Sequence, residues 1–85
     1  MRSPPTVVLY TRPDCHLCDQ ARAQLEALRA EGLAFGLEEV DIDSDDRLHA
    51  RYLERIPVVM LDGEIVCELG LDPGELRAMI DTVYR

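Results

Sequence analysis

The residues Cys15-His16-Leu17-Cys18 stand where the hydrophobic period of the chain changes from that of a strand to that of a helix. Before them, Thr6 to Thr11 is β-branched, aromatic and mostly apolar, the composition of a buried strand. Pro13 and Asp14 break that run. After them, Leu17, Ala21, Leu25 and Leu28 recur at steps of four, four and three, an apolar stripe on one helix face. Gly32 supplies the C-cap. A strand, a tight loop and a helix opened by two cysteines commit the chain to an α/β arrangement, because both elements must bury one face against the other.

The remaining segments extend that pattern. Leu37 to Asp43 alternates around Val40 and Ile42 as a second strand, and Ser44 is placed to cap a short helix with Leu48, Tyr52 and Leu53 facing inward. Ile56-Pro57-Val58-Val59-Met60-Leu61 reads as a strand opened by proline, where the missing N–H need not enter the ladder. Asp62-Gly63 is the dipeptide favoured in a two-residue type I′ hairpin; it sets Leu61 opposite Glu64 and, counted outward, Val58 opposite Cys67. Asp72, Pro73 and Glu75 form an N-cap, a first helical position and a capping acid. The inward stripe of that last helix is Leu76, Met79, Ile80 and Val83. The element order is β-α-β-α-β-β-α. A strand–helix–strand crossover gives a parallel pair and a hairpin an antiparallel one. The expected architecture is therefore a four-stranded mixed sheet flanked by three helices, one domain over residues 1–85.

Charge narrows the partners. Nine arginines face 17 carboxylates, a formal charge of −8, which repels nucleic acid and anionic membranes. No apolar run approaches the length of a membrane span. Met1 to Pro5 lack the apolar stretch of a secretory signal, so a cytoplasmic protein is expected. Three cysteines is also an odd number for a disulfide scaffold.

The position of the cysteine pair has a chemical consequence. The first amides of a helix have no intrahelical partner and carry partial positive charge. A thiolate at Cys15 is stabilised by them, lowering its pKa below the free-thiol value of ~8.5, and Arg12 adds to the field. Cys18 lies one turn further on, on the same face. It remains a thiol until it attacks the mixed disulfide formed at Cys15.

Tyr10-Thr11-Arg12-Pro13-Asp14-Cys15-His16-Leu17-Cys18 resembles the glutaredoxin pattern Tyr-Thr-Lys-Pro-x-Cys-x-x-Cys, with Arg12 in the lysine's place. Ile56-Pro57-Val58 is similar to the segment of that family whose proline is cis and faces the active site. The resemblance covers most of the chain and is greatest to small bacterial glutaredoxin-like proteins with Cys-His-Leu-Cys. It implies a thioredoxin-like fold and a dithiol–disulfide oxidoreductase, with Cys15 as nucleophile and Cys18 as resolving thiol. It also implies substrate contacts at Arg12, His16, Ile56 and Pro57, the backbone of Ile56 pairing with the cysteinyl part of the substrate. The expected partners are a disulfide-containing protein or small molecule and a thiol reductant, the protein itself being a monomer. No resident cofactor is expected. Glutathione is a candidate electron donor only, because Val58 and Val59 follow Pro57 where a basic residue is usual. In addition, Glu68-Leu69-Gly70-Leu71-Asp72 stands where that family holds the glutathione carboxylates with a Gly-Gly-x-Asp-like stretch. The absence of tryptophan separates the chain from thioredoxins.

Two other functions compete with redox exchange. One is a metal-binding or metal-delivery module. Zinc needs four ligands, and His16, His49 and Cys67 are scattered rather than paired, so no metal site is assigned. The other is an adaptor of the same fold whose cysteines do not turn over. His16, when protonated, would stabilise the Cys15 thiolate; otherwise it is an exposed ring without a partner. Cys67 alternates with Ile65 and Leu69 and reads as a buried strand residue, while His49 reads as solvated. Asp41, Asp43 and Asp45 mimic the opening of a calcium loop, but Asp46 and Tyr52 occupy the positions that need Gly and Glu. These acids instead suit the N-terminus of the short helix.

Overall fold

The computed structural model describes residues 4–83; Met1 to Ser3, part of the segment read for a leader, lie outside them. The order is β1 (Thr6–Thr11), α1 (His16–Ala30), β2 (Gly36–Asp41), α2 (Asp46–Tyr52), β3 (Val58–Leu61), β4 (Glu64–Glu68) and α3 (Pro73–Val83), with one 3-10 turn, Ile42–Ser44, before α2. The sheet runs β2-β1-β3-β4. β1 pairs parallel with β2 and antiparallel with β3, and β3 pairs antiparallel with β4. This is the mixed sheet and the element order that the sequence implies.

Alternation along β1 and β3 divides the core in two. Val7, Leu9, Val59 and Leu61 meet Ala21, Leu25 and Leu28 of α1 and Leu76 and Ile80 of α3. Val58 joins Cys18, Ile42, Tyr52 and Ile56 in a second cluster, with Tyr10, Cys15, Leu48 and Met60 against it. Tyr10 stacks on Tyr52 with ring centroids 4.7 Å apart. Each fully buried leucine contributes about 1.5–3 kcal/mol of hydrophobic stabilisation.

The caps follow local chemistry. Gly32, at φ 103°, donates to the Arg29 carbonyl while Leu33 donates to that of Leu28, a Schellman closure of α1. Asp62 and Gly63 both take positive φ, as a type I′ turn requires. Asp62 also exchanges two hydrogen bonds with Thr6, tying the hairpin to the start of β1. Asp72 accepts from the amides of Gly74 and Glu75 and caps α3.

Several expectations are corrected. Leu17 is exposed, and Cys18 takes its place on the buried stripe of α1. β2 stops at Asp41, because the Asp41 side chain accepts the Asp43 amide and turns the chain, leaving Ile42 buried within the 3-10 turn. Asp45 rather than Ser44 caps α2, accepting from the amides of Arg47 and Leu48. Leu53 is exposed beyond the end of α2. Leu61 does face Glu64, but a bulge between Val59 and Met60 and their partners sets Cys67 opposite Val59, and Val58 opposite Glu68. The extra residue, Val66, breaks the period of two. Cys67 therefore does not share a face with Ile65: Cys67 packs partly buried against the first core, whereas Ile65 and Leu69 are exposed. The side chain of Val83 lies outside the described residues.

Candidate functional site

β1 delivers the chain to the site through a four-residue loop in which Asp14 adopts a φ of 61°, a conformation that Asp tolerates better than most residues. Cys15 then takes an extended conformation as the N-cap of α1. Its Sγ accepts the backbone N–H of Cys18 at 3.2 Å, and its carbonyl accepts that of Asp19 at 3.1 Å. The sulfur thus occupies the position in which a serine or aspartate oxygen caps a helix. Cys15 and Cys18 are joined by a disulfide, their Cα atoms 5.2 Å apart. Cys18 is fully buried and Cys15 half-buried. Of the two sulfurs, the capping one is the accessible one.

The Ile56–Pro57 peptide bond is cis. Ile56 shares the second core cluster with Cys18, so the cysteine pair and the Ile-Pro step meet at one place although far apart in sequence. Both residues are buried. The Ile56 N–H is bonded to the Tyr52 carbonyl at 3.0 Å, and Leu69 donates to the carbonyl of neighbouring Arg55 at 3.0 Å, latching the loop after β4 beside the proline.

The two other residues assigned to the site are engaged elsewhere. Arg12 Nε lies 3.5 Å from Asp43, whose other oxygen lies 3.5 Å from His49 Nε2. The charge expected to act on Cys15 is thus opposed by a carboxylate, and the partly exposed His49 faces the same carboxylate. His16 is exposed, and the Gln20 amide donates to its Nε2 at 3.3 Å. Among the described residues no group of three or more His, Cys, Asp or Glu side chains gathers to hold a metal ion. No helix among them is long and apolar enough to cross a membrane.

One feature of the site escapes the sequence. A pocket of about 320 Å³ opens where β1 and β2 end against the first turns of α1. Thr11, Glu39 and Asp41 contribute to it from the strands, and Asp19 and Arg22 from the helix. The hydroxyl of Thr11 is buried there without a hydrogen-bond partner. Glu39, by hydrogen bond and charge, holds the Arg22 guanidinium above its ordinary pKa, with Asp19 adding to the effect. The sequence shows which of these residues carry charge but not that the parallel register brings them together.

A thioredoxin-like sheet carrying a bonded Cys-x-x-Cys at its first strand-to-helix turn defines the class. Residues 6–81 match the model of the glutaredoxin-like domain (DUF836), and the chain belongs to that family. An uncharacterized protein of Mycobacterium tuberculosis is 36% identical, the match covering 92% of this chain and 84% of that one. The X-ray structure of a protein from X. campestris superposes with a TM-score of 0.70 at 38% identity, covering 91% and 97% of the two chains. A mutant thioredoxin from Halobacterium salinarum shares the fold at a TM-score of 0.68 and 24% identity, over 95% of this chain and 75% of that one.

Proposed function

We propose that this protein is a cytoplasmic dithiol–disulfide oxidoreductase acting on protein or small-molecule disulfides. The observation that carries this reading is the accessible Cys15 sulfur accepting a first-turn amide while bonded to the buried Cys18. In the reduced protein the same amide favours the thiolate at Cys15. Burial disfavours charge at Cys18 and keeps it a thiol.

Turnover follows in two exchanges. The Cys15 thiolate attacks one sulfur of the substrate disulfide; that bond breaks, a mixed disulfide forms, and the first substrate thiolate leaves and takes a proton. Cys18 then loses its proton and attacks Cys15 Sγ, forming the intramolecular disulfide and releasing the second substrate thiolate. The substrate gains two electrons from the cysteine pair and two protons, one released by Cys18 and one from solvent. An external thiol reductant restores the pair, glutathione being one candidate. Pro57 and Ile56 wall the site, and the Ile56 carbonyl is the backbone group left to pair with an incoming chain, since its N–H is held by Tyr52. His16 and Arg12 contribute at the rim.

Reduction of insulin or of a small mixed disulfide by excess thiol reductant tests the reading. The protein accelerates it beyond the reductant alone, and Cys15→Ser abolishes the acceleration. Wild-type turnover in that variant would falsify the assignment of the nucleophile.

A further inference from the structure

We infer that the pocket beside the disulfide binds a cationic side chain of the substrate, which makes basic disulfide-containing proteins the substrate class. This rests on the redox reading above and specifies what that chemistry acts on. Arg12, Pro13 and Asp14 in the pocket wall run directly into Cys15, and Asp19 bonds to the Cys15 carbonyl. An arginine or lysine close to the reacting cysteine of a substrate therefore has the pocket beside it.

The lining decides the sign of the charge. Four carboxylates, of Asp14, Asp19, Glu39 and Asp41, stand against the two guanidiniums of Arg12 and Arg22. Arg22 is engaged by both Asp19 and Glu39, and Arg12 by Asp43. Among the described residues Asp14 and Asp41 pair with no cation. On the pocket wall, Thr11 is only 7% exposed and its hydroxyl bonds to nothing; the buried Arg12 Nε also lacks a hydrogen bond, with Asp43 3.5 Å away. Thr11 follows Val7 and Leu9 on the α1 face of β1. Its hydroxyl can accept an ammonium or guanidinium N–H as well as donate, so the excess of carboxylates in the lining, not the hydroxyl, sets the sign of the charge. An anionic group would instead add to an excess of negative charge, on a protein whose net charge is already −8.

Two synthetic peptides test the inference. Each carries one cysteine in a mixed disulfide with thionitrobenzoate, flanked by lysines in one and glutamates in the other, and chromophore release reports exchange with the reduced protein. At low ionic strength the basic peptide reacts about tenfold faster, an advantage that added salt shrinks. Asp41→Asn keeps an oxygen for the Asp43 amide and lowers that ratio about threefold. Asp14→Asn, an asparagine suiting the φ of 61°, acts in the same direction. Asp81→Asn makes the same charge change on the exposed face of α3 and leaves the ratio unaltered. Equal rates for the two peptides, or equal losses at Asp41 and Asp81, overturn the pocket and leave the redox reading standing. Exchange with neither peptide overturns the redox reading, and the substrate class with it.

Discussion

Cys18 donates its backbone N–H to the Cys15 sulfur across 3.2 Å, while its own sulfur is bonded to that same atom. One residue thus supplies both the amide that favours a thiolate at Cys15 and the thiol that releases what Cys15 captures. Side-chain substitutions at Cys18 separate the two, because the amide belongs to the backbone.

Cys18→Ser keeps the capping amide and removes the resolving sulfur. The variant accumulates a mixed disulfide at Cys15 when mixed with a disulfide substrate, seen by mass spectrometry as the added mass of one substrate thiol. The wild type under the same conditions releases it. Full multiple turnover in the variant, with no trapped species, contradicts the resolving role.

The Arg12–Asp43 pair limits what Arg12 can do to the nucleophile. Arg12→Ala moves the midpoint of Cys15 alkylation upward by about half a pH unit at most, as expected for a partly exposed, already paired charge. A larger displacement would show that the guanidinium acts on the sulfur in spite of Asp43.

Asp45, not Ser44, satisfies the first amides of α2. Asp45→Ala costs about 1 kcal/mol of stability, measured by urea unfolding. Ser44→Ala costs less, because the serine hydroxyl bonds only to the exposed Asp41 carbonyl. The reverse order would restore Ser44 as the cap.

Thr11 keeps an unpartnered hydroxyl in the interior. Thr11→Val removes it with little change of shape and raises stability by about 1 kcal/mol, read as a higher urea midpoint at an unchanged m-value. A loss of stability would mean that the hydroxyl is satisfied in solution without substrate.

Much of this arrangement is legible in the sequence because it is written locally. The Asp62-Gly63 turn, the Asp72-Pro73 start of α3, the Ile56-Pro57 step and the cysteine pair at a change of period each depend on a few adjacent residues. What is hidden depends on tertiary register. Val66 is the bulged residue only because β4 must pair with β3 on either side of it, and no local signal separates it from a regular strand. Leu17 and Cys18 are adjacent, and periodicity favours the larger apolar side chain; the structure turns the sulfur inward to meet Ile42 and Ile56. Asp43 answers Arg12 from a different segment, so the partial cancellation of that charge is invisible until the chain is folded. The pocket likewise draws on β1, β2 and α1 at once.

The ionisation of Cys15 is most directly measured by the rate of iodoacetamide alkylation of the reduced protein across pH, with the modified cysteine identified by mass spectrometry. The helix-start amide requires Cys15 to be modified first, with a midpoint well below the free-thiol value of about 8.5. A midpoint at or above that value, or modification of Cys18 ahead of Cys15, would contradict it.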